Sequence, residues 1–336
     1  MILDRPIVVA GAGSIGCFVG GMLAAAGRRV ALLARARVIH DIEACGLRLT
    51  SFDGSERQIA ANELTLSEDA QILGVAGVVL VTVKSADTRG IADLIARHAP
   101  PDAVIISLQN GIGNVSVLRR RLPGRRVLAG MVGFNVVAPG EGRFHRATSG
   151  DIVIESDQAG TSARLSVPGL RMRASGNIDG VQWGKLLLNL NNALNALADL
   201  PLRQQLAQRG WRVLFADQMA EGLAAMRADG IHPVSSTPIP AGWTPALLRL
   251  PDAVFSALLG RTMKIDPQAR SSMSEDLQRG RRTEIDYLQG VITEIADRRG
   301  LEVPLSRRVV ALIRRAEAAG QGSPKLTPEQ IRWADR

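Results

Sequence analysis

The feature that most constrains the fold of this 336-residue chain is its opening. A short apolar run, Pro6-Ile7-Val8-Val9-Ala10, leads directly into Gly11-Ala12-Gly13-Ser14-Ile15-Gly16, and an apolar helix pattern follows, ending near Gly27. Strand, glycine turn and helix in that order are the context a dinucleotide site needs; without it, a G-x-G-x-x-G marks ordinary turns equally well. Gly11 permits the tight turn. Gly13 lets the backbone come close to a pyrophosphate, and Gly16 lets the helix lie close to the sheet. The helix start offers free N–H groups and the positive end of its dipole to phosphate. The expected cradle is Gly11, Ala12, Gly13, Ser14, Ile15 and Gly16.

The second strand, Arg29 to Leu33, bears on which dinucleotide is held. An NAD site places Asp or Glu at the end of that strand, about 20 residues on, against the ribose 2′-hydroxyl. Here the chain reads Ala34-Arg35-Ala36-Arg37. A guanidinium grips phosphate bidentately, so a 2′-phosphate and therefore NADP(H) is expected, with Arg35 as the contact and Arg37 as second candidate. The alternative is that both arginines are solvated surface charges.

A chain of this length with 46% hydrophobic residues exceeds one ordinary core and points to two domains. Lys and Arg number 41 against 32 Asp and Glu, a net charge of +9. The arginines are dispersed and no aromatic-interleaved basic stripe occurs, so no nucleic-acid partner is expected; the excess reads as an Arg-rich surface that attracts anionic ligands. Cys17 and Cys45 supply neither a disulfide framework nor a metal pattern. The chain shows no charged leader with a cleavage site and no apolar run of about 18 residues, so the expectation is a cytoplasmic protein with no membrane partner.

Strand and helix signals alternate at first. Val78–Val83 and Ala103–Ser107 read as buried strands separated by a helix near Asp87–His98, which implies a doubly wound parallel sheet. Ligands bind such sheets at the carboxyl ends of the strands. The glycine turn, Arg35, Lys84 and Asn110 all fall on that rim. Residues 131–155 look strand-like, with turns at Pro139-Gly140 and Glu141-Gly142 and a last strand at Asp151–Glu155. From Val181 onward the pattern is helical. The expected fold is α/β: an N-terminal Rossmann-type parallel sheet domain, 1–178, followed by an all-α domain, 179–336. Pro233 to Pro245 reads as a loop.

In the helical part, a helix from Trp183 places Lys185, Asn189, Asn192 and Ala196 in one narrow stripe at about 100° per residue, beside a broad stripe of Leu186, Leu190, Leu194 and Leu197. The polar stripe is either a solvated face or a working one. Solvated faces favour Glu, Lys and Arg, and asparagines cost helix propensity, which suggests that they serve something. A second segment begins at Asp266-Pro267, read as an N-cap with proline at the first helical position. It runs through Ser271-Ser272-Met273 to Arg282-Thr283-Glu284-Ile285-Asp286. On spacing alone Ser272 and Glu284 are exposed polar residues, whereas Ile285, Leu288, Ile292 and Ile295 are core.

These stretches together resemble the ketopantoate reductase (2-dehydropantoate 2-reductase) family. The matching segments are Gly11–Gly16, Thr82-Val83-Lys84, Gln109-Asn110-Gly111, Lys185-Leu186-Leu187-Leu188-Asn189, Ser271-Ser272-Met273 and Arg282–Asp286, in the right order along nearly the whole chain. The resemblance implies a Rossmann domain, a helical domain, and NADPH-dependent reduction of 2-dehydropantoate to (R)-pantoate in pantothenate and coenzyme A biosynthesis. It implies Lys185 as general acid and Glu284 as the residue that binds the substrate's hydroxyl end and orients the lysine. Asn189, Asn192, Ser272 and Asn110 are implied substrate contacts, and Lys84 and Asn110 lie on the cofactor side. One departure stands out: eight residues past the lysine, where the family often carries a second substrate asparagine, this chain has Ala193. Either Asn192 substitutes, or the pocket takes another branched 2-oxo acid. A non-catalytic NADP(H)-binding protein on the same scaffold is the remaining alternative, and the helical domain could support a homodimer.

Overall fold

The computed structural model describes residues 4–235, 239–259, 266 and 268–332. The chain divides into two compact units, Met1–Ile178 and Asp179–Arg336.

Among its described residues the first unit holds twelve strands: β1 (Ile7–Ala10), β2 (Val30–Leu33), β3 (Leu47–Ser51), β4 (Glu56–Ile59), β5 (Leu64–Ser67), β6 (Val78–Val81), β7 (Val104–Ser107), β8 (Val127–Val132), β9 (Val136–Gly140), β10 (Arg143–Arg146), β11 (Ile152–Glu155) and β12 (Met172–Ser175). Five helices lie between them: α1 (Ser14–Ala25), α2 (Ala36–Cys45), α3 (Thr88–His98), α4 (Asn114–Arg121) and α5 (Thr161–Leu165). Eight strands form one sheet in the order β12-β11-β8-β7-β6-β1-β2-β5. β1 pairs in parallel with β2 and with β6, Ile7 lying opposite both Val30 and Val78. Every residue of β1, β6 and β7 is buried, the signature of strands covered on both faces, which is why they read as unbroken apolar runs. Their side chains alternate between two cores. Ile7 and Val9 join Phe18 and Leu23 of α1, while Val8 and Ala10 join Ile91 and Ile95 of α3 and Leu118 of α4.

The sheet is not wholly parallel, as the strand–helix alternation had suggested. β11 runs antiparallel to β8, with Ile152 opposite Val132, and β12 runs parallel to β11. No helix lies between β8 and β11, so the chain returns in the opposite sense; the helix α5 precedes β12 and restores a parallel crossover. A second sheet, β4-β3-β10-β9, packs on α1. Its β9–β10 hairpin turns at Glu141 (φ 55°) and Gly142 (φ 68°), whereas Pro139-Gly140, expected as a turn, belongs to β9. β12 was not expected: of its four residues only Met172 is buried, so it carries no strand-like apolar run.

The second unit is helical throughout its described residues: α6 (Ile178–Asn189), α7 (Asn191–Ala198), α8 (Leu202–Ala207), α9 (Arg209–Ala228), α10 (Thr244–Leu248), α11 (Asp252–Leu259), α12 (Ser272–Gln278), α13 (Gln289–Arg299), α14 (Pro304–Ala319) and α15 (Pro328–Arg332). The helix expected from Trp183 starts earlier, at Ile178, and divides at Leu190, whose backbone (φ −57°, ψ −29°) stays right-handed and whose N–H still bonds Leu186 O at 3.0 Å. Pro245 was expected in a loop but sits in the first turn of α10, where its missing N–H is no loss; Pro238 lies outside the described residues. Asp266 does not cap a helix. Its carboxylate accepts from Gln268 N (2.8 Å) and its carbonyl from Ala269 N (3.0 Å), which closes a turn. Pro267 lies outside the described residues, and the helix starts only at Ser272, behind Ser271.

A buried charge, Arg212, and a half-buried one, Glu221, organise this unit. Arg212 is fully buried and donates to the carbonyls of Leu206, Ala207, Leu248 and Leu250 while stacking over Phe255. Glu221 of α9 accepts from Leu305 N (2.9 Å) and Ser306 N (2.8 Å), capping α14 from the side.

Candidate active site

On the first unit, four loops leave the carboxyl ends of the adjacent strands β7, β6, β1 and β2. They carry Asn110, Lys84, the glycine turn and Arg35. Gly11 has φ +97°, and a side chain there would put Cβ 2.3 Å from Val83 Cγ1; only glycine fits. At Gly16 a Cβ would lie 2.6 Å from Thr82 Oγ1 and 2.9 Å from Val9 Cγ1, so the helix–strand approach depends on its absence. At Gly13 it would meet nothing nearer than 4.0 Å. Gly11 N and Ala12 N both bond Leu33 O, at 3.2 and 3.0 Å, which fastens the turn to the end of β2. The N–H groups of Ser14, Ile15 and Gly16 have no backbone acceptor among the described residues, as expected at a helix start. A tight turn, open space at Gly13 and three free donors fit a dinucleotide pyrophosphate.

Arg35 is the N-cap residue of α2. Its guanidinium and that of Arg37 are exposed and make no hydrogen bond or ion pair among the described residues. Lys84 is half-buried ahead of a short turn at Ser85–Asp87. Beneath Lys84 and Asn110 lies a polar network that sequence reasoning missed apart from Gln109. Ser85 Oγ donates to Asn110 O (2.9 Å), and Asn114 Nδ2 donates to the same carbonyl (2.7 Å) and to Ser85 Oγ (3.1 Å). Thr88 Oγ1 lies 2.8 Å from both Asn114 Oδ1 and Gln109 Nε2. The side chains of Ser85, Thr88, Gln109 and Asn114 are buried, so this clamp holds the two loops rigidly. The Asn110 carboxamide makes no hydrogen bond among the described residues.

In the second unit, α6 and α7 carry Lys185, Asn189 and Asn192. Leu186, Leu190, Leu194 and Leu197 are buried and anchor these helices. Asn189 is only 6% exposed, while Lys185 and Asn192 are half-buried. Burial of the Lys185 amine lowers its pKa from 10.5 to about 8, because a desolvated ammonium is disfavoured. Among the described residues the side chains of Lys185, Asn189, Asn192 and Ser272 make no hydrogen bond. Asn191 and Asn195, by contrast, are buried and paired. Both meet Gln205, at 3.3 and 3.0 Å, and Asn195 also reaches Leu200 O (2.8 Å). The asparagine-rich stretch therefore splits into residues that tie the core and residues left unpaired. Ala193 is fully buried.

Ser272 is exposed in the first turn of α12, whereas Ser271 is fully buried as its N-cap. Glu284 is half-buried ahead of the turn Ile285–Tyr287. Ile285, Leu288, Ile292 and Ile295 are all buried. The thiol of Cys17 lies in the core, 3.3 Å from Ala12 O, and burial pushes its pKa up to about 12, so it is inert. Among the described residues no helix is long and apolar enough to cross a membrane.

Residues 7–158 match the family described as ketopantoate reductase PanE/ApbA, and residues 177–317 match the ketopantoate reductase PanE/ApbA C terminal. Among solved structures, a PanE/ApbA family ketopantoate reductase from Ralstonia eutropha JMP134 is 33% identical, with 94% of this chain and 99% of that chain covered and a TM-score of 0.79. A 2-dehydropantoate 2-reductase of Halobacterium salinarum is 28% identical over 327 residues, 94% of this chain and 99% of the relative. A D-mandelate dehydrogenase solved with NADH and anilino(oxo)acetate shares the fold at 20% identity, with 94% of this chain and 99% of that chain covered and a TM-score of 0.76.

Proposed function

Since the chain belongs to the ketopantoate reductase family of oxidoreductases, we propose that it is an NADPH-dependent 2-dehydropantoate 2-reductase, forming (R)-pantoate for pantothenate and coenzyme A synthesis. The observation that carries this reading is the unpaired polar stripe of α6 and α7. Asn189 is almost buried yet makes no hydrogen bond among the described residues, beside a lysine whose pKa is lowered to about 8. The carboxamide atoms of Asn189 are accessible and not sealed in the core, so a small polar ligand can take up the hydrogen bonds that no protein group makes there.

The first unit would hold the cofactor: the glycine turn its pyrophosphate, Arg35 its 2′-phosphate, and Lys84 and Asn110 the nicotinamide half. When bound, it supplies a hydride for the C2 carbonyl carbon. Lys185 then has two tasks. Its ammonium stabilises negative charge growing on the C2 oxygen, and it donates the proton that completes the hydroxyl. A pKa near 8 leaves the amine mostly protonated at neutral pH yet ready to release the proton. Glu284 binds the hydroxyl end of the substrate and orients Lys185, Ser272 takes the carboxylate, and Asn189 and Asn192 position the oxo acid. Ala193 is part of the core, so Asn192, half-buried and unpaired, is the residue available for the second amide role.

The test is NADPH oxidation with 2-dehydropantoate beside a panel of other 2-oxo acids. Turnover restricted to 2-dehydropantoate supports the proposal. Faster turnover of a different acid keeps the chemistry and moves the substrate. Tight NADPH binding with no oxidation by any acid would leave a non-catalytic nucleotide-binding protein.

A further inference from the structure

Two residues assigned to the substrate, Asn192 and Ser272, come from segments about 80 residues apart, and one buried serine joins them. Ser271 Oγ donates to the backbone carbonyl of Asn192 at 2.9 Å. The same oxygen accepts from Ser274 N at 3.1 Å and so caps α12. Ser271 N donates to Asn195 Oδ1 at 2.8 Å. Ser271 and Asn195 are both 0% exposed.

The donors of this tie are fully used. A serine hydroxyl has one hydrogen to give, and it goes to Asn192. Both hydrogens of the Asn195 carboxamide are engaged, by Leu200 O and Gln205 Oε1, while its oxygen holds Ser271. Buried and satisfied on every side, the tie has one geometry. A cap for α12 needs only an acceptor for Ser274 N; the bond to Asn192 O is additional. It fixes the residue before Ser272 against the backbone of Asn192, while the Asn192 carboxamide and the Ser272 hydroxyl remain unpaired among the described residues.

We infer that Ser271, held by Asn195, is a positioning residue that sets the spacing between Asn192 and Ser272 and thereby the fit of a 2-oxo acid between the Asn192 carboxamide and the Ser272 hydroxyl. This rests on the reductase reading above. Contacts of this kind act on bound substrate and transition state alike, so their loss raises KM and leaves kcat largely unchanged.

The experiment compares the full-length chain with Ser271→Ala, Ser271→Gly and Ser271→Thr, using NADPH and whichever 2-oxo acid the parent reduces fastest. KM for the acid should rise about tenfold in Ser271→Ala, the scale of one lost buried hydrogen bond with its unsatisfied partner. Saturated turnover and the Kd for NADPH should stay within about twofold. Ser271→Thr keeps the hydroxyl and should recover most of the loss. Should the alanine variant fold poorly, Ser271→Gly gives the same reading, because glycine is tolerated at an N-cap at a cost of only a few tenths of a kcal/mol. A lowered Tm with KM unchanged would show a structural cap alone and overturn the inference. No reduction of any 2-oxo acid by the parent would overturn inference and reading together; normal parent turnover with unaltered KM in folded variants overturns the inference only.

Discussion

The pH dependence of reduction tests the role of Lys185 most directly. Burial lowers its pKa from 10.5 to about 8. If the ammonium is the proton donor, the rate follows its protonated fraction, roughly nine-tenths at pH 7 and about one-tenth at pH 9. Steady-state kcat/KM for the oxo acid, measured at saturating NADPH from about pH 6 to pH 10, should be flat at first, bend near pH 8, and then fall about tenfold per pH unit. Oxidation of the hydroxy acid should rise through the same bend, because the neutral amine is then the base. The stability sign is also defined. The folded chain binds fewer protons than the unfolded chain between pH 8 and 10.5, so this lysine destabilises the fold by roughly 3 kcal/mol below pH 8 and the cost is relieved as pH climbs through that window. Lys185→Arg keeps the charge over the whole range but yields no proton, so it should lose the alkaline bend along with most of the rate. Lys185→Ala should lower turnover on the order of a hundred- to ten-thousandfold with NADPH affinity intact. A wild-type bend above about pH 10, or the same bend in Lys185→Arg, would falsify the assignment.

The remaining predictions separate cofactor, packing and fold. Arg35→Ala should raise the Kd for NADPH about ten- to a hundredfold and leave NADH almost unaffected, since charge-assisted phosphate bonds are worth that much; equal losses in a fluorescence titration with both cofactors would show that Arg35 does not read the 2′-phosphate. Gly16→Ala pushes a methyl to within 2.6 Å of Thr82 Oγ1; it should cost about 1–3 kcal/mol in urea unfolding and weaken both nucleotides equally. Arg212→Ala removes a fully buried guanidinium together with its bonds to four carbonyls and its ion pair with Asp252, and a loss of about 3 kcal/mol or more is expected; an unchanged urea midpoint would show that water replaces the guanidinium freely.

Much of the first unit was readable because burial and sequence pattern agree. β1, β6 and β7 are covered on both faces and read as apolar runs. The rim follows from chain order alone: each of Gly11, Arg35, Lys84 and Asn110 lies within three residues of a strand's carboxyl end. β4 and β12 gave no such signal, with one buried residue in each; their place is set by hydrogen bonding to β3 and β11, a partnership that local composition does not encode. The reversal at β11 was likewise hidden, because strand direction depends on the connection and not on the strand's own residues.

The site divides along a different line. Helical spacing grouped Lys185, Asn189 and Asn192, yet it could not tell these amides from Asn191 and Asn195, whose partners Gln205 and Ser271 lie 10 to 76 residues away. Counting eight residues past the lysine selects Ala193, which is buried, while the seventh residue, Asn192, keeps its amide partly accessible. Seven residues return an α-helix to within about 20° of its starting direction, and eight carry it roughly 80° around. Asn192 is therefore nearer the Lys185 stripe than Ala193, and the helix division at Leu190 leaves that difference in place. A one-residue offset in a motif of fixed length can thus preserve the chemistry, provided that the shifted amide faces the same way and the position it vacates closes with a small apolar residue. Alanine at 193, in full contact with the core, meets that second condition.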